Sequence, residues 1–307
     1  MKCLLALIRR NTKLFFKDKG MFFTALITPA ILLVLYATFL ARVYRDSFTS
    51  NLPGGLDIPE RIIDGLVGGQ LVSSLLAVAC VTVAFCSNFL MVQDKASGVL
   101  KDFSVSPVSG SLMALGYYIS TIITTLIICL SATALCLIYT ASVGWYMTAC
   151  DIALLVLDVV LLSLFGTALS SVINFFLSSQ GQISAVGTIV SSGYGFICGA
   201  YMPISSFGEG LKNVIAFLPG TYGTSLVRNH AMRGALEALR EEGIPDEAVT
   251  ALSDAVDCNL YFLGSQVPEW ASYTVVAASI ILLVAAYVIM NRVKFKKKKA
   301  RTKTQTK

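Results

Sequence analysis

Two carboxylates inside an apolar stretch are the residues of this chain best suited to chemistry. Asp151 and Asp158 fall in the segment 149–177, and a spacing of seven residues places them on one face of a helix. An ionisable group at membrane depth is costly and usually serves a function. Asp151 is expected at the edge of the segment, so Asp158 is the candidate. It either binds a proton or substrate, or makes a structural hydrogen bond to Ser, Thr or Asn of a neighbouring helix.

Other patterns that could carry chemistry are missing from the sequence. His230 is the single histidine, and no His, Cys and carboxylate cluster has the spacing of metal ligands. Neither a Gly-x-Ser-x-Gly nucleophile elbow nor the G-x-x-x-x-G-K-[ST] phosphate loop occurs. We therefore predict no catalytic residue, no metal and no cofactor on this chain, and any ATP chemistry must come from a partner.

The composition is that of an integral membrane protein. Of 307 residues, 55% are hydrophobic and only 14% are charged, where soluble domains carry about 25%. A spanning helix needs ~20 mostly apolar residues. The sequence predicts an all-α fold with six transmembrane helices, at residues 22–41, 69–92, 111–139, 149–177, 183–202 and 270–290.

Basic residues predict the orientation of the chain. With both termini in the cytoplasm, 17 of the 24 Lys and Arg residues lie on the cytoplasmic side, as the positive-inside rule requires. The lead-in to the first span is too long for a removable signal peptide and lacks a cleavage site. We expect a multi-pass protein of the cell (plasma) membrane. The basic tail, residues 292–307, suits anionic lipid and not nucleic acid.

Two cytoplasmic segments have amphipathic patterns. Residues 1–20 place Leu4, Leu7, Ile8 and Phe15 toward one face of a helix expected to lie along the inner membrane surface. The loop 93–110 contains a short apolar stripe between charged residues. Such an exposed stripe needs a protein or headgroup surface to cover it, unless the segment is an ordinary loop between two spans.

The fifth predicted span and the outer segments have distinct patterns of their own. Small residues recur every fourth position at Gly187, Ser191, Gly195 and Gly199, a pattern that favours close packing within the chain, a subunit interface or a substrate passage. Residues 42–68 read as an outer loop. Residues 203–269 read as a re-entrant outer segment, with two short amphipathic helices between 234 and 258. Cys150 and Cys258 lie near the outer side and could pair in an oxidising compartment.

In order and spacing, these segments resemble the membrane subunits of type-2 ABC exporters, a permease family with six spans per chain. The resemblance covers nearly the whole chain, as a single transmembrane permease domain over residues 1–307. It depends on four places: the lead-in from Lys2 to Lys19 followed by Pro29; Asp94-Lys-Ala-Ser-Gly98-Val-Leu followed by Ser106-Pro107-Val; Gly199-Ala-Tyr-Met-Pro203; and Leu218-Pro219-Gly-Thr-Tyr222 with Leu226-Val-Arg228. In that family they form a connecting helix, a coupling helix seated on the ATPase, and the flanks of a re-entrant pair.

The resemblance implies a half-transporter that pairs with a second permease chain, identical or paralogous, above two ABC ATPase subunits. ATP and Mg would be bound by the ATPase. The residues implied in coupling to it are Arg9, Arg10, Asp94, Gly98, Leu100, Asp102, Phe103 and Pro107. The residues implied along the substrate path, from the second and fifth spans, are Val72, Leu75, Leu76, Val83, Ile189 and Phe196. An apolar lining suits a drug, lipid or hydrophobic peptide.

Two other classes of protein remain open at this point. A secondary transporter or channel would need no ATPase, but would place more ionisable groups at the midplane than Asp158 alone. A membrane scaffold or ligand-sensing protein would bind a ligand through residues 203–269 without moving it. ATP depletion at a constant ion gradient separates the first from an ATP-driven transporter, and ligand movement in reconstituted vesicles tests the second.

Overall fold

The computed structural model describes residues 2–51, 58–100, 108–262 and 264–305. Its helices are α1 (Lys2–Lys17), α2 (Lys19–Leu35), α3 (Ala41–Asn51), α4 (Glu60–Ala96), α5 (Gly110–Val143), α6 (Ala149–Phe176), α7 (Gln180–Ile197), α8 (Glu209–Ile215), α9 (Pro219–Glu241), α10 (Asp246–Ala255) and α11 (Glu269–Gln305). A π-helical turn (Tyr36–Leu40) joins α2 to α3, and a 3-10 turn (Ile204–Ser206) precedes α8. Strands β1 (Tyr261–Phe262) and β2 (Ser265–Gln266) pair antiparallel before α11, with Tyr261 opposite Gln266.

Within these ranges, five stretches are long and apolar enough to cross a membrane: Lys19–Thr49, Glu60–Ala96, Gly110–Val143, Ala149–Phe176 and Glu269–Val293. The prediction of an all-α membrane protein is therefore confirmed. The fifth predicted span corresponds to α7, which has 18 residues and is not one of the five membrane-length stretches. At ~1.5 Å per residue it is about 27 Å long, close to the thickness of bilayer hydrocarbon. The count of six spans stays a prediction.

The central element of the bundle is α4. Its side chains are buried almost without a break from Ile62 to Val92, because α2, α3, α5, α6, α7 and α9 all pack against it. A helix enclosed on every side reads as apolar all round, which is why its sequence shows no amphipathic period. The predicted outer loop over 42–68 is much shorter, since α3 continues to Asn51 and α4 begins at Glu60.

Glycines let helices approach α4 closely at two points. A Cβ on Gly166 of α6 would lie 2.9 Å from the carbonyl oxygen of Cys80, and a Cβ on Gly69 of α4 would lie 2.6 Å from the carbonyl oxygen of Ala231. Small residues add packing between membrane helices, where lipid provides no hydrophobic driving force for association. These contacts bring α6 and α9 against the same central helix.

Capping side chains fix where α6 and α7 begin. Thr148 and Asp151 form a capping box at the start of α6, and Ser179 with Gln182 forms another at the start of α7. Each pair satisfies backbone N–H groups that a helix start leaves unpaired. Asp151 therefore marks the beginning of the fourth span.

The outer segment is more helical and more deeply packed than the sequence predicts. Its main element, α9, is buried over most of its length between α4, α6 and α11. The first of the two predicted short helices is the end of α9, and the second is α10, which begins after Gly243 (φ +84°) and Pro245. Cys150 and Cys258 are both free thiols. Burial raises the pKa of the Cys258 thiol to about 12.

Candidate functional sites

The amphipathic helix α1 docks on the bundle through one regularly spaced face. Leu7, Asn11 and Phe15 recur every fourth residue and are its buried side chains, while α5 is the main helix against which α1 packs. This confirms the predicted helical amphipathicity of residues 1–20. Between the buried positions, Arg9 and Lys13 are exposed.

A buried carboxylate ties α1 to the C-terminal end of α4. Asp94 receives two hydrogen bonds from Arg10, at 2.7 Å and 3.1 Å, and one from the Tyr117 hydroxyl at 2.5 Å. The side chain of Asp94 is 8% exposed. Bidentate guanidinium–carboxylate pairs are strong and directional. The hydrogen bonds to Asp94 raise the pKa of Arg10 above its ordinary value, so the guanidinium stays charged.

The next residue, Lys95, ties α4 to the end of α6. Its ammonium donates to the carbonyl oxygens of Asn174 and Phe175 at 2.8 Å and of Leu177 at 3.1 Å. It also lies 5.5 Å from the centre of the Phe175 ring. The last carbonyls of a helix lack intrahelical partners and carry partial negative charge, which favours a cation there.

The other residues of the predicted coupling set lie beyond this junction. Gly98 follows the end of α4 and adopts φ +86°, a left-handed conformation that terminates a helix. Leu100 is half-buried in a new helical turn. Asp102, Phe103 and Pro107 lie outside the described residues. Contact of this set with an ATPase stays a prediction.

A groove of about 770 Å³ opens between α2, α4 and α7. From α2 the wall is mainly apolar, with Met21, Ile27 and Ile31, whereas α7 contributes mostly hydroxyl-bearing residues. Those hydroxyl residues are Ser184, Thr188, Ser191 and Ser192. Phe89 and Gln93 of α4 form part of the floor. The groove therefore combines an apolar and a polar wall.

The six residues predicted along the substrate path differ in their exposure within this chain. Val72, Leu75, Leu76 and Val83 of α4 are buried inside the chain, while Ile189 and Phe196 of α7 are exposed. None of the six lies on the wall of the groove. Helical periodicity could not identify which face of α4 is covered, because nearly all of its faces are. A common lining by these six residues stays a prediction.

Members of the small-residue series on α7 have neighbours within the chain. A Cβ on Gly187 would lie 3.4 Å from the Phe89 ring, and one on Gly195 would collide with Tyr201. Gly199 lies beyond the end of α7 at φ +75°, against Ile204. The Ser191 carbonyl accepts a hydrogen bond from the Tyr201 hydroxyl at 3.2 Å. These contacts belong to packing within the chain, one of the alternatives that the sequence left open.

A fully buried arginine on α9 joins four parts of the fold. Arg228 donates to the carbonyl oxygens of Val256 at 2.7 Å and Gly199 at 2.8 Å, and to the Ser74 hydroxyl at 3.3 Å. It also pairs with the Asp257 carboxylate at 3.4 Å. A buried charge is tolerated only where it is paired and hydrogen-bonded. Arg228 thus fixes α9 to α4 and to the chain that follows α7 and α10.

Asp158 lies in a second buried cluster, with the single histidine of the chain. Its Oδ2 is 2.5 Å from Nδ1 of His230, and its Oδ1 accepts a hydrogen bond from the Tyr273 hydroxyl at 2.8 Å. Nε2 of His230 is 2.9 Å from the Glu269 carboxylate. Arg233 lies 3.8 Å from Glu269 and 3.6 Å from Asp151. The partners of Asp158 are therefore His and Tyr, and not the predicted Ser, Thr or Asn.

Electrostatics in this cluster favour a charged imidazole. Burial by itself lowers the pKa of His230, but hydrogen bonding to Asp158 and the negative charges of Asp158 and Glu269 outweigh it. The net effect raises the pKa of His230 above its ordinary value of 6.5. Sequence reasoning missed this cluster because its three elements are far apart in the chain. The available signal was an ionisable pair, Arg228 and His230, on one glycine-rich helix.

Taken together, the membrane-length helices, the groove beside α7 and the docked amphipathic helix define a multi-pass membrane transport protein. The family model of the ABC-2 type transporter matches residues 2–231, and the chain belongs to that family. It is thus an ABC transporter permease, whose family carries the ATPase on a separate subunit and implies an ABC ATPase partner in a dimeric arrangement. A search of curated proteins finds no match. Family membership favours the ABC permease over the two alternative classes.

Proposed function

We propose that this chain is one half of the membrane pathway of an ATP-driven exporter of hydrophobic or amphipathic substrates. Two permease chains, identical or paralogous, form the pathway in the plasma membrane with their termini in the cytoplasm. Two ATPase subunits bind ATP and Mg and dock beneath residues 93–110. The substrate enters from the cytoplasm or the inner leaflet and leaves on the outer side.

The hydroxyl stripe of α7 is the observation that carries this proposal. Ser184, Thr188 and Ser192 recur every fourth residue and are exposed, so they form one polar line on the surface of a membrane-length helix. The exposed residues of α2 and α11 include large apolar side chains, such as Phe23 and Leu282. Polar side chains in a membrane protein normally face the protein interior or a water-filled cavity. The stripe therefore favours a pathway, shared with the second chain, over contact with lipid.

The two walls of the groove indicate the class of substrate. Apolar side chains of α2 would hold the hydrocarbon part of a molecule, and the hydroxyl groups of α7 would bind a polar part by hydrogen bonds. Its volume of about 770 Å³ lies within the range typical of sites for small molecules. An amphipathic drug, a lipid or a hydrophobic peptide fits this division better than a sugar or an ion.

The junction at Asp94 would carry the ATP-driven movement into the membrane. Asp94 lies at the start of the coupling segment 93–110 and is bonded to both α1 and α5, so a displacement of that segment would be passed to two helices. Each state of the ATPase must favour one state of the permease through different contacts. Charge reversal at Asp102 or removal of Phe103 is expected to lower substrate-stimulated ATPase activity.

A single substitution in the stripe tests the proposed pathway. Thr188→Leu should lower ATP-dependent transport by about tenfold, the equivalent of ~1.4 kcal/mol, because it replaces a hydroxyl in the pathway with a branched apolar group. The measurement uses proteoliposomes with the permease and its ATPase. The probes are a rhodamine dye, a fluorescent phospholipid and a labelled hydrophobic peptide, which represent the three substrate classes.

Thr274→Leu is the matched control. Thr274 of α11 is also exposed, and its hydroxyl donates to the carbonyl of residue 270, as the Thr188 hydroxyl does to that of residue 184. This variant should transport like the unmodified protein. Equal transport by the two variants would contradict a pathway along α7, and movement of probe without ATP would contradict an ABC exporter.

A further inference from the structure

The cluster around His230 contains an imidazole between two carboxylates, each within hydrogen-bond distance of one ring nitrogen. Asp158 is 2.5 Å from Nδ1 and Glu269 is 2.9 Å from Nε2. The three residues come from α6, α9 and the first residue of α11. The histidine side chain is 0% exposed. One ring thus joins the start of α11 to the interior of α9 and α6.

Counting protons shows that the site holds one proton more than a neutral ring between two ionised carboxylates would supply. A neutral imidazole has one N–H and one bare nitrogen, while an ionised carboxylate can only accept hydrogen bonds. With an ionised carboxylate on each side, the bare nitrogen of a neutral ring would face a carboxylate oxygen, and their two lone pairs would repel each other. Both contacts are favourable together when the ring carries two protons. The arrangement therefore requires a bound proton.

The two carboxylates differ in their access to water. Asp158 is fully buried and also accepts a hydrogen bond from Tyr273, so it has no route to solvent. The side chain of Glu269 is 41% exposed, and its other described ionic partner, Arg233, is 3.8 Å away. If the ring lost a proton, Glu269 is the carboxylate that could turn to water.

We propose that His230, Asp158 and Glu269 form a proton-binding site that fastens the outer start of α11 to α9 and α6, and that loss of the proton releases Glu269. The site would make the outer end of the last span sensitive to the pH outside the cell. This function is separate from ATP-driven transport and does not depend on it.

The charged groups around the ring determine the direction of the response. Among the described residues, those facing the site are Asp158 on α6, Glu269 and Tyr273 on α11, and Arg233 on the same helix as the histidine. Folding raises the pKa of His230 above 6.5. A group with a raised pKa contributes stability that is complete below its unfolded pKa and is lost as pH rises through its folded pKa. The contact between Glu269 and His230 should therefore form at acidic pH and be lost at alkaline pH.

Fluorine NMR on Trp270 tests the release directly. Trp270 is adjacent to Glu269, and Trp145→Phe leaves it as the only tryptophan of the chain. With 5-fluorotryptophan incorporated, the full chain in nanodiscs should show a resonance that shifts with pH above about 6.5. Nitrogen-15 labelling of the single histidine should show both ring nitrogens protonated at the acidic end.

Two variants and one control identify the groups responsible. Glu269→Gln should abolish the pH-dependent shift while preserving the contact, because an amide can accept from a charged ring or donate to a neutral one. His230→Gln should also abolish it, since it removes the titrating group. Glu237→Gln makes the same change as the first variant on an exposed residue of α9, and should titrate like the parent.

Three outcomes would overturn the proposal. They are a neutral His230 ring at acidic pH, a Trp270 resonance that does not respond to pH in the parent, and an unchanged titration in Glu269→Gln. The last variant alters a partly exposed residue, so the test does not depend on whether His230→Gln folds.

Discussion

Buried charges in this protein are paired across helices, and each pair joins elements that are distant in the chain. Asp94 is bonded to Arg10, and Arg228 lies against Asp257. Removing one partner of a buried pair leaves an uncompensated charge, which is far more costly than the loss of an exposed pair. Single substitutions at these residues should therefore affect stability.

Asp94→Asn should destabilise the protein by about 2 kcal/mol, because Arg10 loses the ionised half of a bidentate pair that is largely buried. The measurement is the shift in thermal unfolding of the detergent-solubilised protein. Asp246→Asn is the matched control, since Asp246 pairs with Arg240 at 3.1 Å on the surface and is 87% exposed. If the two variants unfold at the same temperature, Asp94 does not anchor α1.

The sequence identified the important charged residues better than it identified their partners. Asp158 stands out in an apolar segment, yet His230 and Tyr273 are far from it in sequence and no local pattern connects them. The contact of Asp94 with an ATPase stays a prediction, and its contacts within the chain, with Arg10 and Tyr117, had no signal in the sequence. A local pattern can indicate that a charge needs a partner, but only the packing of helices determines which one it meets.

At the scale of the elements, the sequence predicted those helices that have a long continuous apolar run. α4, α5, α6 and α11 were all predicted as spans. The burial of α9 was not, because its 23-residue sequence is long enough but not apolar enough. Its glycines allow close contact instead: a Cβ on Gly223 would lie 2.4 Å from Leu162, and one on Gly234 would collide with the carbonyl of Tyr146.

Gly166→Ala and Gly193→Ala should have opposite effects on stability. At Gly166 the added methyl group meets the backbone of α4 at 2.9 Å, and overpacking of this kind costs roughly 1–3 kcal/mol. At Gly193 of α7 it meets nothing within 4 Å, and alanine favours a helix by up to about 1 kcal/mol. Thermal unfolding in detergent measures both. A stabilised Gly166→Ala protein would contradict the close approach of α6 to α4.

At the scale of the whole molecule, the sequence could not predict what covers the surfaces that one chain leaves exposed. The groove between α2 and α7 is formed by surfaces over which no further helix lies among the residues that the structure describes. Whether substrate, lipid or a second permease covers them depends on another molecule. The apolar pattern of α2 and the glycines of α7 are therefore consistent with more than one partner.

Two native cysteines provide a test of the proposed orientation. Cys3 on α1 and Cys150 on α6 are exposed, whereas the other six cysteines are buried. With both termini in the cytoplasm, a membrane-impermeant maleimide should label Cys150 in intact cells and Cys3 only after permeabilisation. Cys3→Ser and Cys150→Ser assign the two signals. Labelling of Cys3 in intact cells would contradict the orientation.

The consecutive residues Asp94 and Lys95 bind different neighbouring helices. Asp94 is bonded to α1 and α5, and Lys95 is bonded to the end of α6. A twist of the second span at this level must strain one set of bonds or carry both neighbours with it. The ends of α1, α4, α5 and α6 that meet at this level can thus move as one rigid unit. A force applied to any one of these four helices would then be transmitted to the other three.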